Sequence, residues 1–228
     1  MDRRANMKEV GVSRVNLRTI AGVQALIWLF LSQWVQAFAD APEVQKVVEE
    51  NTRLLVTQLE QHRGLYQTDP TTFYKKMEVA LEEVVDFRRI AGRVMGRYAR
   101  QADKSQRDQF VETFKKSLFS TYAKALVESG DFTIQVQGSK MISESNDRAS
   151  VELVVTSSSG NSYPVIYSMY LNTKQEKWLL ENMIVNGINV GLAFRDRFEE
   201  EVQKHKGDLS SVIQNWSAEI ATPANGKE

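Results

Sequence analysis

Cysteine is absent from the 228-residue sequence, and histidine occurs only twice, as His62 and His205. Without cysteine the chain can hold no disulfide framework, no thiolate metal site and no cysteine nucleophile. Two histidines that are far apart in the sequence give no basis for a multi-histidine zinc or iron site. The common serine-hydrolase, zinc-protease and phosphate-loop motifs are absent as well. The sequence therefore predicts no metal ion, no cofactor and no enzymatic activity.

An excess of charge of either sign is also missing, since 29 Lys and Arg residues balance 29 Asp and Glu residues. A general nucleic-acid-binding protein would need a clear basic excess. Hydrophobic residues make up 42% of the chain and charged residues 25%, which is typical of a globular protein. The composition thus predicts a folded protein that does not bind nucleic acid.

The first 39 residues have the pattern of an export signal. Basic residues from Arg3 to Arg18 precede an apolar stretch that is densest at residues 25–31. Ala37-Phe38-Ala39 then provides the small-x-small site that signal peptidase accepts. A retained membrane anchor is the alternative, but polar residues such as Gln24 interrupt the apolar run. We therefore expect cleavage before Asp40 and an exported mature protein.

Helical periodicity dominates the chain up to residue 130. The predicted helices cover residues 42–64, 70–85 and 87–98, and a fourth begins at residue 103. Pro42 and Pro70 suit the first turn of a helix. Asp103 and Gln106 have the spacing of a capping box at the start of the fourth helix.

After residue 130 the apolar pattern alternates with a period of two, which is typical of strands. The predicted strands are residues 132–138, 149–157, 162–172 and 177–186. In the last strand, Trp178 and Leu180 agree in phase, while Met183 and Val185 take the opposite phase. A β-bulge near Glu181-Asn182 would reconcile the two halves.

Two further helices are predicted at residues 190–206 and 208–220, before a tail at 222–228. Polar turns between the strands favour an antiparallel sheet. Residues 40–221 show no repeat and no linker, so we predict a single domain of the α+β class. Its helices would pack on one face of a curved, four-stranded antiparallel sheet.

Bulky apolar residues of the third and fourth helices and of the strands are predicted to converge on one space. Periodicity alone does not tell whether that space is a filled core or a hollow binding site. The helical members are Phe87, Ile90, Met95, Tyr98, Phe110, Phe114 and Tyr122, and the strand members are Val151, Leu153, Val155, Tyr167, Met169, Trp178 and Leu180.

Four arginines, Arg89, Arg93, Arg97 and Arg100, follow one another along the third helix on the side opposite its apolar face. One interpretation is an ordinary solvated surface. The other is a basic strip that contacts phosphate headgroups or an acidic partner.

Other features favour structural roles. Glu82, Glu83 and Asp86 are candidates for acid–base chemistry, but we expect the two glutamates to be solvated. His62 and His205 occur near predicted helix ends, where an imidazole caps well. A G-x-x-x-G pattern at Gly92 and Gly96 predicts close approach of another backbone.

Two stretches of the sequence resemble the MlaC / toluene-tolerance family of exported phospholipid-transport proteins. The first runs from Ile90-Ala-Gly-Arg-Val-Met-Gly-Arg-Tyr98 through Ser105-Gln-Arg-Asp-Gln-Phe110. The second is Trp178-Leu-Leu-Glu-Asn-Met-Ile-Val-Asn-Gly-Ile-Asn189. Asn182 replaces the acidic residue that the family favours, and Gly187-Ile188-Asn189 replaces Gly-Val-Ser.

The resemblance implies a cone-shaped fold of the nuclear-transport-factor kind, with an apolar cavity that holds a phospholipid as cargo. It implies a monomeric periplasmic shuttle between an outer-membrane lipoprotein–porin complex and an inner-membrane lipid ABC transporter, which maintains outer-membrane lipid asymmetry. Two alternatives stay open. One is a periplasmic isomerase or hydrolase on the same fold, which would need a buried carboxylate or tyrosine pair. The other is a structural interaction domain with a filled core.

Overall fold

A computed structural model describes residues 39–128 and 131–219 of the chain. Apart from Ala39, the predicted signal segment lies outside the described residues, as does the predicted tail at 222–228. None of the helices within the described ranges is both long and apolar enough to cross a bilayer.

The first half of the described chain is helical. Its elements are α1 (Pro42–His62), α2 (Leu65–Thr68), α3 (Pro70–Glu82), α4 (Phe87–Met95), a 3₁₀ turn (Gly96–Arg100) and α5 (Lys104–Glu128). The capping box predicted before α5 is confirmed, because the Gln106 N–H donates to Asp103 Oδ1 at 2.8 Å and the Asp103 N–H donates to Gln106 Oε1 at 3.0 Å. Polar side chains at the helix ends therefore determine where α5 begins.

Two predicted helix ends are wrong. The second predicted helix stops at Glu82, because the next residues leave the helix and pair with a strand: the Leu180 N–H donates to Val84 O at 2.9 Å. The third stops at Met95, where Gly96 adopts a φ of +54° that favours glycine. The predicted close backbone approach at Gly92 and Gly96 is also wrong, since the space over Gly92 is open and Gly96 faces the Arg195 side chain.

The second half begins with an antiparallel sheet in the order β1-β2-β3-β4-β5. Its strands are β1 (Phe132–Met141), β2 (Arg148–Ser157), β3 (Ser162–Asn172), β4 (Lys177–Val185) and β5 (Ile188–Asn189). The prediction of four strands missed β5, whose two residues are too few to show alternation. It also ended β1 too early, because a register shift between Val136 and Gly138 breaks the alternation there.

The bulge predicted in the last strand is confirmed. Ser168 pairs with Asn182 and Met169 pairs with Leu180, so Glu181 is the extra residue of β4. Because the bulge resets the phase of the strand, the two apolar halves of β4 turn to the same face of the sheet.

Two helices follow the sheet, α6 (Val190–Lys204) and α7 (Leu209–Gln214). Both are shorter than the predicted 190–206 and 208–220, since the chain turns at Lys206-Gly207 and leaves helical geometry after Asn215. Helices α4 to α7 pack mainly on one another, and α1 packs on β1 and β2. The predicted α+β class, with helices combined with an antiparallel open sheet, is confirmed.

Candidate functional site

The inner face of the sheet, which is the face turned toward α1, is a continuous apolar surface. Strand register places Val151 of β2 opposite Tyr167 of β3, and Tyr167 opposite Met183 of β4. No charged side chain of β1–β4 alternates onto this face within the described residues. Its apolar members are Ile134, Val136, Met141, Ala149, Val151, Leu153, Val155, Val165, Tyr167, Met169, Trp178, Leu180, Met183 and Val185.

Helix α1 closes one end of this inner face. Ala41, Val44 and Val48 pack there and are almost fully buried. The hydroxyl of Ser139 donates to Ala41 O at 2.7 Å, which ties the start of α1 to β1. The sequence prediction did not include these residues in the site, although Val44 and Val48 showed the helical spacing that would have identified them.

Away from this closed end, side chains of the protein leave part of the inner face uncovered. Ile134, Val155, Tyr167, Met183 and Val185 retain accessible surface although they belong to the same apolar cluster as fully buried neighbours. The sheet therefore offers an apolar surface that a hydrophobic ligand could cover.

Tyr167 lies near the middle of this apolar surface and carries a hydroxyl group. Burial raises the pKa of the Tyr167 hydroxyl, and no residue of the described ranges shares a hydrogen bond with it. The side chain nevertheless keeps part of its surface accessible. The Tyr167 side chain therefore lies among protein atoms and still reaches solvent at the inner face.

The helical members of the predicted site lie elsewhere. Phe87, Ile90, Met95, Tyr98, Phe110 and Phe114 belong to a separate core between α4, α5, α6 and α7. The ring centroids of Phe110 and Phe198 are 4.9 Å apart, and those of Phe114 and Phe194 are 5.4 Å apart. Tyr122 is exposed, and its hydroxyl donates to Ala218 O at 3.0 Å.

The predicted convergence of helical and strand residues on one space is therefore wrong. All seven strand members share the inner face of the sheet, while the helical members fill a packed core of their own. Periodicity shows that a helix has an apolar side, but not which element that side contacts. Val85 is the residue that packs against both clusters.

The predicted arginine strip is divided by its ion pairs. Arg89 Nε lies 2.6 Å and Arg93 Nη2 3.1 Å from Oε2 of Glu181, and Arg148 Nη1 lies 2.6 Å from Oε1 of the same carboxylate. Glu181 is only 5% exposed. Two of the four arginines thus hold α4 against the bulge of β4.

The other two arginines are on the surface. Arg97 pairs with Glu199 at 2.5 Å, and both side chains are exposed. Arg100 is exposed and has no ion pair within the described ranges. Arg93 also keeps 45% of its side chain exposed beside Glu181, so the strip is open to a partner or a headgroup at Arg97, at Arg100 and in part at Arg93.

Asp86 and Tyr170 belong to the same network as Arg89. The Tyr170 hydroxyl donates to Asp86, and the Arg89 guanidinium lies 4.0 Å from the centroid of the Tyr170 ring. Burial and the bond to Asp86 raise the pKa of Tyr170 to about 12. Asp86 also accepts from the Arg89 N–H at 2.8 Å as the N-cap of α4. The structure therefore gives Asp86 a structural role.

The remaining candidate carboxylates are exposed and paired. Glu83 lies 2.7 Å from Lys177, and Glu82 lies 2.9 Å from the buried Lys115. Burial disfavours the charged form of Lys115, but hydrogen bonds to its glutamates outweigh that effect and raise its pKa. His205 Nδ1 lies 2.9 Å from Glu201 O at the end of α6, in keeping with capping. Within the described residues, no cluster of side chains could hold a metal ion.

Residues 49–218 match the family model described as MlaC protein. The chain belongs to the MlaC family. Toluene tolerance protein ttg2D of Pseudomonas putida, a curated relative, is 36% identical to this MlaC chain over 176 residues, which cover 77% of the chain and 80% of the relative. The predicted resemblance is thereby confirmed.

A solved structure supports the fold of this MlaC chain. It is the phospholipid-binding protein from Ralstonia solanacearum in complex with a phospholipid, with a TM-score of 0.66 and 20% sequence identity. The match covers 77% of this chain and 94% of the Ralstonia chain. At this identity the comparison shows that the two proteins share a fold.

Proposed function

We propose that this MlaC protein is a periplasmic carrier that holds a diacyl phospholipid with its acyl chains against the inner face of the sheet. The partly uncovered, uncharged surface around Tyr167 is the observation that carries the proposal. Membership of the MlaC family and the phospholipid bound by the structurally similar Ralstonia protein support it.

The strand residues of the inner face are the proposed acyl-chain contacts. Val151, Leu153 and Met169 form its buried floor, and Val155, Tyr167 and Trp178 form its accessible part. The packed core of α4–α7 acts as the rigid wall beside them. Recognition of this kind depends on apolar volume, so headgroup discrimination should be weak.

The energetics explain why such a carrier is needed. Each buried methylene contributes about 0.8 kcal/mol, so two chains of about 16 carbons would lose about 25 kcal/mol on entering water. An apolar surface shielded from water replaces the bilayer interior, and transfer between the two is then close to neutral. A near-neutral step needs no catalytic group, and its direction must come from the partners.

The proposed cellular role follows from the family. Residues 1–39 would be removed on export, and the monomeric carrier would move between an outer-membrane lipoprotein–porin complex and an inner-membrane ABC transporter. This traffic would maintain the lipid asymmetry of the outer membrane. Arg97 and Arg100, and in part Arg93, are arginines of the predicted strip that are available for a partner or for a lipid headgroup.

A hydrolase or isomerase on the same fold would need a polar pair inside the enclosed space. Tyr167 has no hydrogen-bonded carboxylate there among the described residues, so no observation favours that alternative. Nor does any observation favour a filled interior, because several apolar residues of the inner face keep part of their surface accessible.

The proposal is tested by purifying the periplasmic protein without detergent and analysing its organic extract by mass spectrometry. We expect diacyl phospholipids in a near-stoichiometric amount. A protein that carries no lipid after this purification, and takes up none from phospholipid vesicles, would refute the carrier function.

A further inference from the structure

Tyr167 differs from the other polar residues of the inner face. The Ser139 hydroxyl is already bonded to Ala41 O, and Tyr163 lies at the exposed end of β3 with 42% of its surface accessible. Tyr167 lies deeper on the same strand, between the fully buried Val151 and Met183 of β4. Its hydroxyl is thus a donor on an apolar surface that is accessible to solvent and has no hydrogen-bond partner in the described part of the chain.

The Tyr167 hydroxyl keeps access to water, but a lipid that covered the inner face would remove that water. A donor left unpaired under the lipid would be costly, whereas a phenylalanine at the same position would pack equally well. The position is therefore best explained if the ligand supplies the missing acceptor. Burial raises the pKa of Tyr167, so the group stays protonated and acts as a donor at any physiological pH.

The chemistry of a phospholipid limits what that acceptor can be. The hydrocarbon chains offer none, and the phosphate carries a charge that no side chain of the inner face would compensate. The ester carbonyls are uncharged acceptors, and they are the polar atoms directly joined to the chains. An ester carbonyl is consequently the lipid atom that suits a neutral donor in an uncharged surface.

We propose that the Tyr167 hydroxyl donates a hydrogen bond to an ester carbonyl of the bound lipid and so makes the protein selective for ester-linked over ether-linked phospholipids. The proposal rests on the carrier function proposed above. It assigns Tyr167 a role in specificity that apolar contacts cannot supply, because ester and ether lipids have almost the same apolar volume.

The test is a competition within one sample. Delipidated protein is incubated with vesicles that contain equal amounts of dipalmitoyl phosphatidylcholine and its dihexadecyl ether analogue, and the protein-bound lipids are counted by mass spectrometry. The ratio of the two lipids does not depend on how much of the protein is folded. For the unaltered protein we expect about a tenfold excess of the diester, the equivalent of one hydrogen bond of about 1.4 kcal/mol.

The variants separate Tyr167 from its neighbours. Tyr167→Phe should bind both lipids in a ratio near one, while Tyr163→Phe, on the same face of the same strand but with an exposed hydroxyl, should keep the excess of diester. The inference would be overturned if the unaltered protein bound the two lipids equally. It would also be overturned if Tyr167→Phe kept the excess of diester, or if the excess were lost only in Trp178→Phe. Recovery of neither lipid would instead refute the carrier function itself.

Discussion

The side-chain amide nitrogen of Asn182 donates a hydrogen bond to Oδ1 of Asn189 at 3.1 Å. Asn182 Oδ1 accepts from the Gly191 N–H, and Asn189 Oδ1 also accepts from the Leu192 N–H as the N-cap of α6, each at 3.0 Å. A Cβ on residue 191 would lie 2.4 Å from Asn182 Oδ1, so any larger residue there would displace the Asn182 amide from this arrangement. Asn182 and Asn189, two of the three positions at which the sequence analysis noted departures from the pattern that it resembles, therefore form one bonded pair between β4 and the start of α6.

This pairing predicts that substitutions at Asn182 and Asn189 have coupled effects on stability. Asn182→Asp should reduce the free energy of unfolding by about 1–2 kcal/mol, because a carboxylate would face the Asn189 oxygen without a proton between them. Adding Asn189→Ser should restore at least half of the loss, since the serine hydroxyl can donate to Asp and still cap α6. Urea unfolding of the two single variants and the double variant measures the coupling, and purely additive effects would contradict it.

The orientation of β2 predicts opposite effects for adjacent residues. Val155→Glu places a charge on the accessible part of the inner face and should lower lipid retention by more than tenfold, because the carboxylate would have to be desolvated. Val154→Glu places the same charge on the outer face and should leave retention unchanged. Lipid content is measured by mass spectrometry, and circular dichroism checks that both variants are folded. If Val155→Glu retains lipid, our assignment of the binding face is wrong.

The buried carboxylate of Glu181 should contribute more to the stability of the fold than the exposed carboxylate of Glu199. Glu181→Gln leaves Arg89 and Arg148 without their anionic partner and should reduce the free energy of unfolding by about 2–3 kcal/mol. Glu199→Gln breaks the exposed pair with Arg97 and should cause a much smaller change. Denaturant unfolding measures the free energy lost by each variant. A loss in Glu181→Gln no larger than that in Glu199→Gln would show that the network at Glu181 does not add stability beyond that of an exposed pair.

Acid should destabilise the protein through its helix caps. Hydrogen bonds from Thr72 lower the pKa of Asp69, and hydrogen bonds from Ser211 lower the pKa of Asp208. A carboxyl group with a lowered pKa in the folded state stabilises the fold above its unfolded pKa of about 4, and the contribution is lost as the pH falls through the folded value. We expect the free energy of unfolding to decrease steadily below about pH 4.

Asp208→Asn provides the control for this pH dependence. Asparagine caps a helix about as well as aspartate but does not titrate in this range. Stability near pH 7 should change little, while the slope of unfolding free energy against pH below 4 should become shallower. An unaltered slope would mean that Asp208 does not contribute to the acid sensitivity.

Local signals in the sequence predicted much of the fold. The capping box at Asp103 and Gln106 and the phase change within β4 each depend on residues close together in the chain, so both could be located without a structure. The strand members of the candidate site were identified for the same reason, because alternation assigns every residue of a strand to a face.

Pairings over long sequence distances could not be predicted. Nothing local distinguishes Arg89 and Arg93, which bond Glu181 far along the chain, from the exposed Arg97 and Arg100. The choice of α4 and α5 to pack on α6 and α7 is likewise a property of the assembled chain. The helical core and the apolar face of the sheet are separate in the structure, but their apolar residues cannot be told apart in the sequence.

The sealed end of the inner face depends on the very first residues that follow the predicted cleavage point. Ala41 is almost fully buried, the Ala41 N–H donates to Ser139 O at 3.3 Å, and Asp40 forms a bridge with Lys140. Proteolytic removal of only a few residues from the mature amino terminus would thus expose the buried apolar residues at this end of the inner face. Affinity tags are better attached at the carboxyl terminus, where they do not disturb the packing of these first residues.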